Sequence, residues 1–351
     1  MKPLKLIQVG IGGWGWSWVQ VVLSSPHWEL AAIVDLNHDL LNKACQYYQL
    51  SPESAFTTLS EAIQETEADA VLAVVPPDFH KEVALEAFAH NLHCIIEKPL
   101  AGNVEDSLAI IETAERSERK LMVSQNYRYK RAPQTVKNVI QQNIIGELGS
   151  VYIYFQKAPK FSGFRTEMEE PLITDMAIHH FDQIRGILDL EPISVHAISW
   201  NPQWSWFKGN AISSVLFETT SGAVVSYTGS WVSRGWDTSW DGDWRIQGEE
   251  GEIHWANNQV IIKPNDIFTS VFMKDALESN GHLHVNLRSL ETEERWASLQ
   301  EFYESIIDNR EPDSSGRDNL NSLAMVLGAV KSVKTGKKVY IKDVLGIREE
   351  V

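Results

Sequence analysis

Short, uninterrupted apolar runs alternate with longer stretches of helical period through the first 125 residues. Leu4–Val9, Leu30–Val34, Ala70–Val75, His93–Ile96 and Leu121–Ser124 read as strands, with helical pattern over Trp14–Leu23 and His38–Tyr48. A strand that is apolar on both faces belongs in a sheet covered on both sides, and strand–helix alternation implies parallel strands joined by right-handed crossovers. The pattern predicts an α/β fold built on a doubly wound parallel sheet.

After about residue 147 the texture changes. Ser150–Gln156, Val195–Trp200, Ala211–Thr219, Ala223–Ser230, Trp244–Gly248 and Gln259–Lys263 read as strands, with hairpin turns at Ser221-Gly222 and Glu250-Gly251. One helix, Leu172–Leu188, interrupts them, and two more, Glu293–Asp308 and Arg317–Lys334, close the chain. This half predicts an α+β domain with a large open, mainly antiparallel sheet, whose uncovered face needs a partner. The expected division is 1–125 and 126–351.

The length of 351 residues suits two such domains. A net charge of −16 argues against binding nucleic acid or an anionic membrane surface, both of which need a cationic face. Cys45 and Cys94, 49 residues apart with no CxxC pattern, read as buried free thiols of a reducing compartment. No stretch reaches the ~18 continuous apolar residues of a membrane span. The expectation is a soluble, cytoplasmic protein.

Candidate chemistry starts at Gly10-Ile11-Gly12-Gly13-Trp14-Gly15, a G-x-G-x-x-G turn between the first strand and the first helix. Gly10 permits the tight turn, Gly12 lets the backbone approach a pyrophosphate, and Gly15 lets helix and strand pack closely. The diphosphate would lie on the helix N-terminus, where unpaired N–H groups and the dipole favour negative charge. Asp35, 20 residues after Gly15 at the end of the second strand, suits the ribose hydroxyls and repels a 2′-phosphate, which favours NAD over NADP. Trp14 and Trp16 flank this turn, as a cofactor wall or as helix packing. Pro76 to His80 and Glu97-Lys98-Pro99 follow later strands at their carboxyl ends, where an open parallel sheet binds ligands, so Lys98 would project toward the nicotinamide.

In the helix of the second half, Asp175 and His179 are four residues apart and share a face. Such a pair can hold an imidazole while it exchanges a proton with substrate, or it can be structural, or half a metal site. No third ligand stands at metal spacing, so no metal is expected. His180 and Asp182 point elsewhere and read as helix surface or domain contact. Asn126, Tyr127 and Arg128 are candidates for substrate hydroxyls, or for linker packing. Eight of the 13 tryptophans lie between Trp200 and Trp255, and indole faces suit sugar rings as well as cores and interfaces; Trp236 and Trp240 are the candidates for the pocket.

In this order along nearly the whole chain, these motifs resemble the Gfo/Idh/MocA oxidoreductases, the glucose–fructose oxidoreductase and inositol dehydrogenase family, with Glu97-Lys98-Pro99 the most specific of them. The resemblance implies a Rossmann domain followed by an α+β domain whose sheet forms a homodimer or homotetramer. It matches Lys98, Asp175 and His179 to the catalytic lysine, aspartate and histidine, and Pro76 and His80 to the cofactor-proximal loop. The implied activity is NAD-dependent oxidation of a secondary hydroxyl on a sugar, sugar derivative or cyclitol. Two alternatives stand beside it: an NAD-retaining glycosidase-like member, and a non-catalytic dinucleotide sensor. Glu169-Glu170-Pro171-Leu172-Ile173, where relatives often carry a glycine-rich stretch, bears on substrate identity.

Overall fold

A computed structural model describes residues 2–265 and 281–347. The chain divides into two compact units. One takes the residues up to Tyr129 together with Glu291–Leu323; the other takes Lys130–Leu290 and the residues from Ala324 onward. The segment Glu291–Leu323, which lies beyond the boundary expected at 125, therefore packs in the first unit.

The first unit is built on six parallel strands, β1 (Leu4–Val9), β2 (Trp28–Val34), β3 (Ala55–Phe56), β4 (Ala70–Ala73), β5 (His93–Glu97) and β6 (Leu121–Ser124), in the order β3-β2-β1-β4-β5-β6. The order reverses between β1 and β4, so the carboxyl ends of these two strands frame the crevice where such sheets hold ligands. β4 and β6 are buried at every position, as continuous apolar runs require. The helix Glu294–Ile307 covers part of the sheet. Its Phe302 stacks on Trp28 at 5.6 Å, and the Trp28 Nε1 donates to the Leu299 carbonyl at 3.0 Å. The sequence pattern identifies this helix but not its destination, which is set by contacts about 270 residues apart.

The second unit carries a nine-stranded sheet: β7 (Leu148–Gln156), β8 (Pro192–Trp200), β9 (Ile212–Thr219), β10 (Val224–Ser230), β11 (Asp243–Gly248), β12 (Gly251–Ala256), β13 (Gln259–Pro264), β14 (Leu283–Val285) and β15 (Val339–Tyr340). Their order is β14-β13-β12-β11-β7-β10-β9-β8-β15. All neighbours are antiparallel except β7 and β10, which run parallel with Gln156 opposite Ser230. Both strands therefore send their following loops off the same end of the sheet. Alternation decides the faces. Val151, Ile153, Phe155, Val225, Tyr227, Phe217, Trp244 and Trp255 are buried on one side, whereas Tyr152, Tyr154, Leu216, Val224, Ile198 and Trp200 are exposed on the other. The helix Ile178–Gly186 packs on the buried side, where Phe181 meets Phe217 edge-on at 4.8 Å and Tyr227 at 5.4 Å.

Candidate active site

The glycine turn has the geometry that its residues predict. Gly10 has φ +86°, and a Cβ there would lie 2.4 Å from the Val74 carbonyl oxygen. A Cβ on Gly15 would lie 2.3 Å from the Gly10 carbonyl oxygen, so strand and helix touch through bare backbone. Gln8, a polar side chain fully buried in β1, ties the turn shut by donating from Nε2 to the carbonyls of Gly10 (3.1 Å) and Gly15 (2.8 Å). Gly12 is different: a Cβ there would meet only Leu40 Cδ2, at 3.8 Å, and otherwise open space. The helix Trp14–Ser24 starts there with no side-chain cap and no acidic residue in its first turn. An open backbone cradle with uncapped N–H groups fits a pyrophosphate. Asp35 sits beside it, its Oδ2 accepting from the Ile11 amide and its Oδ1 from the Asn37 amide, both at 3.0 Å.

A second cluster surrounds Glu97, buried at the end of β5. Its Oε1 accepts from Trp14 Nε1 (3.0 Å) and Trp18 Nε1 (2.8 Å), and its Oε2 from the Lys98 amide (3.1 Å). Burial pushes the carboxyl pKa up, while the Lys98 ammonium and the indole N–H groups oppose the rise. The Arg295 guanidinium lies 4.4 Å from the Trp14 ring and 5.4 Å from the Trp18 ring, and its Nη1 donates to Ser17 Oγ at 2.7 Å. Trp14 remains 55% exposed, so its indole is pinned along one edge while a face stays available at the turn. Trp16, by contrast, packs on Tyr47 and Tyr48. Nothing local in the sequence joins Arg295 to Trp14, whereas a polar Gln8 inside the apolar run Leu6–Val9 is a visible signal of the tie across the glycine turn.

His80 departs from its expected place against a cofactor. The ring is fully buried, with Nε2 2.9 Å from the Val75 carbonyl and Nδ1 2.9 Å from the Pro99 carbonyl. Two facing carbonyls favour the proton, but burial is the larger effect and lowers the pKa. His80 is a bracket joining the loop after β4 to the loop that carries Lys98. Pro76 stays exposed on the first of these loops, and Lys98 is partly buried directly after β5. Arg128 is also committed to structure: Nη2 pairs with Asp318 at 2.6 Å and Nη1 donates to the Asp313 carbonyl at 2.8 Å. Asn126 is buried beside it in the same short turn, and Tyr127 is partly buried.

In the second unit the predicted single helix is two elements. Leu172–Ala177 is a π-helical turn, and the α-helix begins at Ile178. Such wide turns concentrate at functional sites because they displace side chains from the regular helical rows. Asp175 lies in the π turn and His179 in the first turn of the α-helix; His179 is buried. Asp175 Oδ2 accepts from Arg165 Nε at 2.6 Å. His180 and Asp182 are not helix surface, as both are buried. His180 Nε2 reaches the Trp240 carbonyl at 3.1 Å, the ring packs among Phe155, Tyr227 and Trp244, and burial pushes its pKa down to about 4. Glu170, in the stretch that departs from the family pattern, is buried and accepts from Ser199 Oγ (2.9 Å) and Asn210 Nδ2 (2.7 Å). Trp231, Trp244 and Trp255 are core, Trp240 is 40% exposed, and Trp236 is 95% exposed. Among the described residues no group of three His, Cys, Asp or Glu is placed to hold a metal ion.

A glycine cradle at the switch point of a doubly wound sheet is the arrangement of a dinucleotide-binding domain. Comparison with known proteins agrees. Residues 4–125 match the profile of the oxidoreductase family with NAD-binding Rossmann fold, and residues 134–254 match the GFO/IDH/MocA C-terminal domain. The chain belongs to the Gfo/Idh/MocA family of oxidoreductases. It is 26% identical to an uncharacterized protein of Sinorhizobium fredii, over 97% of this chain and 96% of the other. It is 27% identical to D-apiose dehydrogenase of Rhizobium rhizogenes, over 76% and 77%. The crystal structure of an oxidoreductase from Agrobacterium radiobacter in complex with NAD+, L-tartaric acid and magnesium has the same fold, with TM-score 0.86 and 22% identity, covering 98% of this chain and 100% of that one.

Proposed function

We propose that this chain oxidises a secondary hydroxyl of a sugar, sugar derivative or cyclitol, with Lys98, Asp175 and His179 as its acid–base residues. The observation that carries the reading is that Lys98 lies within the segment that matches the family's NAD-binding domain, and Asp175 and His179 within the segment that matches its C-terminal domain. Gly10, Ile11, Gly12, Gly13, Trp14, Gly15 and Asp35 would hold NAD, with the open space at Gly12 taking the pyrophosphate and Asp35 the ribose. When bound, NAD supplies the hydride acceptor.

Oxidation removes a hydride from the alcohol carbon and a proton from its oxygen, leaving a carbonyl. His179 takes that proton as general base. Asp175 orients or polarises the imidazole. Lys98 donates a hydrogen bond to the reacting oxygen and stabilises the negative charge that develops there. Trp14, pinned by Glu97, walls the cofactor side of the site.

Two further features accompany this reading. The exposed apolar side of the nine-stranded sheet, with Tyr152, Tyr154, Ile198, Trp200 and Leu216, is suited to bury against a second copy in a homodimer or homotetramer. Cys45 and Cys94, both buried and free, support a reducing, cytoplasmic setting. None of the described helices is long and apolar enough to cross a membrane.

The test is NADH formation across inositols, aldoses, anhydrosugars and amino sugars. Lys98→Met and His179→Ala should each lose most turnover, by about 100-fold or more, while binding NADH as the parent does. Wild-type turnover in either variant refutes the assignment. Release of an aglycone without net NADH would move the chain to the glycosidase-like alternative.

A further inference from the structure

The segment from Lys157 to Arg165 leaves the end of β7 with three cations and no carboxylate, in a chain of net charge −16. Each cation stands near an aromatic ring. Lys157 Nζ is 5.6 Å from the Trp240 centroid and Lys160 Nζ 3.3 Å from that of Trp206, and the Arg165 guanidinium is 5.2 Å from Phe161 and 4.8 Å from Phe164. Lys157 is already countered by Asp237 at 3.5 Å. Arg165 is differently placed. Its Nε donates to Asp175 Oδ2 at 2.6 Å, and its side chain keeps 34% exposure. Its two Nη groups meet no hydrogen-bond acceptor among the described residues.

The guanidinium is a planar fork of five donors. An arginine that serves only to hold a carboxylate gains most by giving it two parallel bonds. Here Arg165 gives Asp175 a single bond from Nε, which leaves the Nη1/Nη2 edge able to meet a planar carboxylate in two parallel hydrogen bonds. Flanking phenyl rings stiffen the side chain and thin its hydration, which strengthens any charge-assisted bond made there.

We propose that Arg165 is the anion-recognising residue of the substrate site, and that the substrate carries a carboxylate, as an aldonate or uronate does. That this is the substrate site, and the oxidation step itself, rest on the function proposed above; the binding of a carboxylate by Arg165 does not. A carboxylate is favoured over a phosphate on two grounds. One open guanidinium edge satisfies a planar monoanion, and Asp175 alongside repels a dianion more strongly than a monoanion.

The experiment offers the intact protein with NAD a panel of D-gluconate, D-galacturonate, D-glucose 6-phosphate, D-glucose and myo-inositol. NADH formation is followed, and calorimetric titration of D-gluconate and D-galacturonate into the NADH-loaded protein is run alongside. The carboxylated sugars should exceed the neutral ones by on the order of 100-fold in kcat/KM. Arg165→Met should erase that ratio chiefly through KM, and Arg165→Lys should restore only part of it, since an ammonium cannot make the two parallel bonds. An equal loss on acidic and neutral substrates in Arg165→Met overturns the proposal, because it marks an arginine that only orients Asp175. A preference for D-glucose 6-phosphate over the uronate overturns it as well. Equal oxidation of neutral and acidic sugars sinks the anion site and leaves the dehydrogenase reading standing. Arg165-dependent binding of the carboxylates without NADH from any substrate supports the anion site and refutes the dehydrogenase reading.

Discussion

Two glycines three residues apart should answer the same substitution in opposite ways. In Gly15→Ala the new methyl would sit 2.3 Å from the Gly10 carbonyl oxygen and 2.9 Å from its carbon, both backbone atoms that cannot swing aside as a flexible side chain would. The helix Trp14–Ser24 must move off β1, and overpacking of this kind costs about 1–3 kcal/mol. Against a total of roughly 5–15 kcal/mol, such a loss is large. In Gly12→Ala the methyl meets only Leu40 Cδ2 at 3.8 Å, an ordinary contact. The fold should be unharmed, or stabilised by about 0.4–1 kcal/mol through the restricted unfolded chain. The same methyl occupies the space assigned to the pyrophosphate, so NADH affinity should fall at least about tenfold, or ~1.4 kcal/mol. Urea unfolding of the protein without nucleotide and fluorescence titration with NADH separate the two effects. Wild-type NADH affinity in Gly12→Ala would show that no phosphate approaches that backbone and would refute the cradle. Undiminished stability in Gly15→Ala would refute the packing argument.

His180 makes stability depend on acid. Its folded pKa of about 4 lies below the ~6.5 of an unfolded imidazole, so the unfolded chain takes up the proton first as the pH falls. The stabilisation is complete above about pH 6.5 and lost between there and about pH 4, by roughly 3 kcal/mol. Urea unfolding across that range should steepen by one proton relative to His180→Asn, and parallel slopes would contradict the assignment. Lys130 and Asp241 form a buried pair at 2.9 Å, with side chains 10% and 6% exposed. Asp241→Leu should cost about 3–5 kcal/mol by taking a buried counter-charge from the Lys130 ammonium, whereas Lys130→Met with Asp241→Leu should recover part of that loss. Chemical denaturation of the three proteins checks this, and an equal loss in the single and double variants would show that packing, not charge, sets the cost.

The strands were legible because burial on both faces leaves continuous apolar runs, and β1, β6 and the helix His38–Tyr48 begin and end where the pattern puts them. The glycine turn was legible for the same reason, since its chemistry is local. What periodicity misses is long-range or off-period. The indole of Trp14 meets Glu97 across 83 residues, and Arg295 meets Ser17 across 278. The π turn at Leu172–Ala177 shifts the rows that an α-helical spacing assumes, so the Asp175–Arg165 contact was invisible beforehand. Position along the chain alone does not fix what His80 and His180 do. Their burial, which decides their roles, depends on elements elsewhere in the chain.

The lone parallel pair in the second sheet has a consequence for how new specificities arise. Because β7 and β10 point the same way, Lys157–Arg165 and the stretch from Trp231 to Asp241 emerge side by side, held by the Ser233 amide on the Lys157 carbonyl (3.1 Å) and the Thr238 amide on the Gln156 carbonyl (3.0 Å). Lengthening or recharging either one alters the other while every ladder bond beneath stays in place. Selection can change the chemistry this rim presents without renegotiating the scaffold, and a designer altering it should exchange the two stretches together.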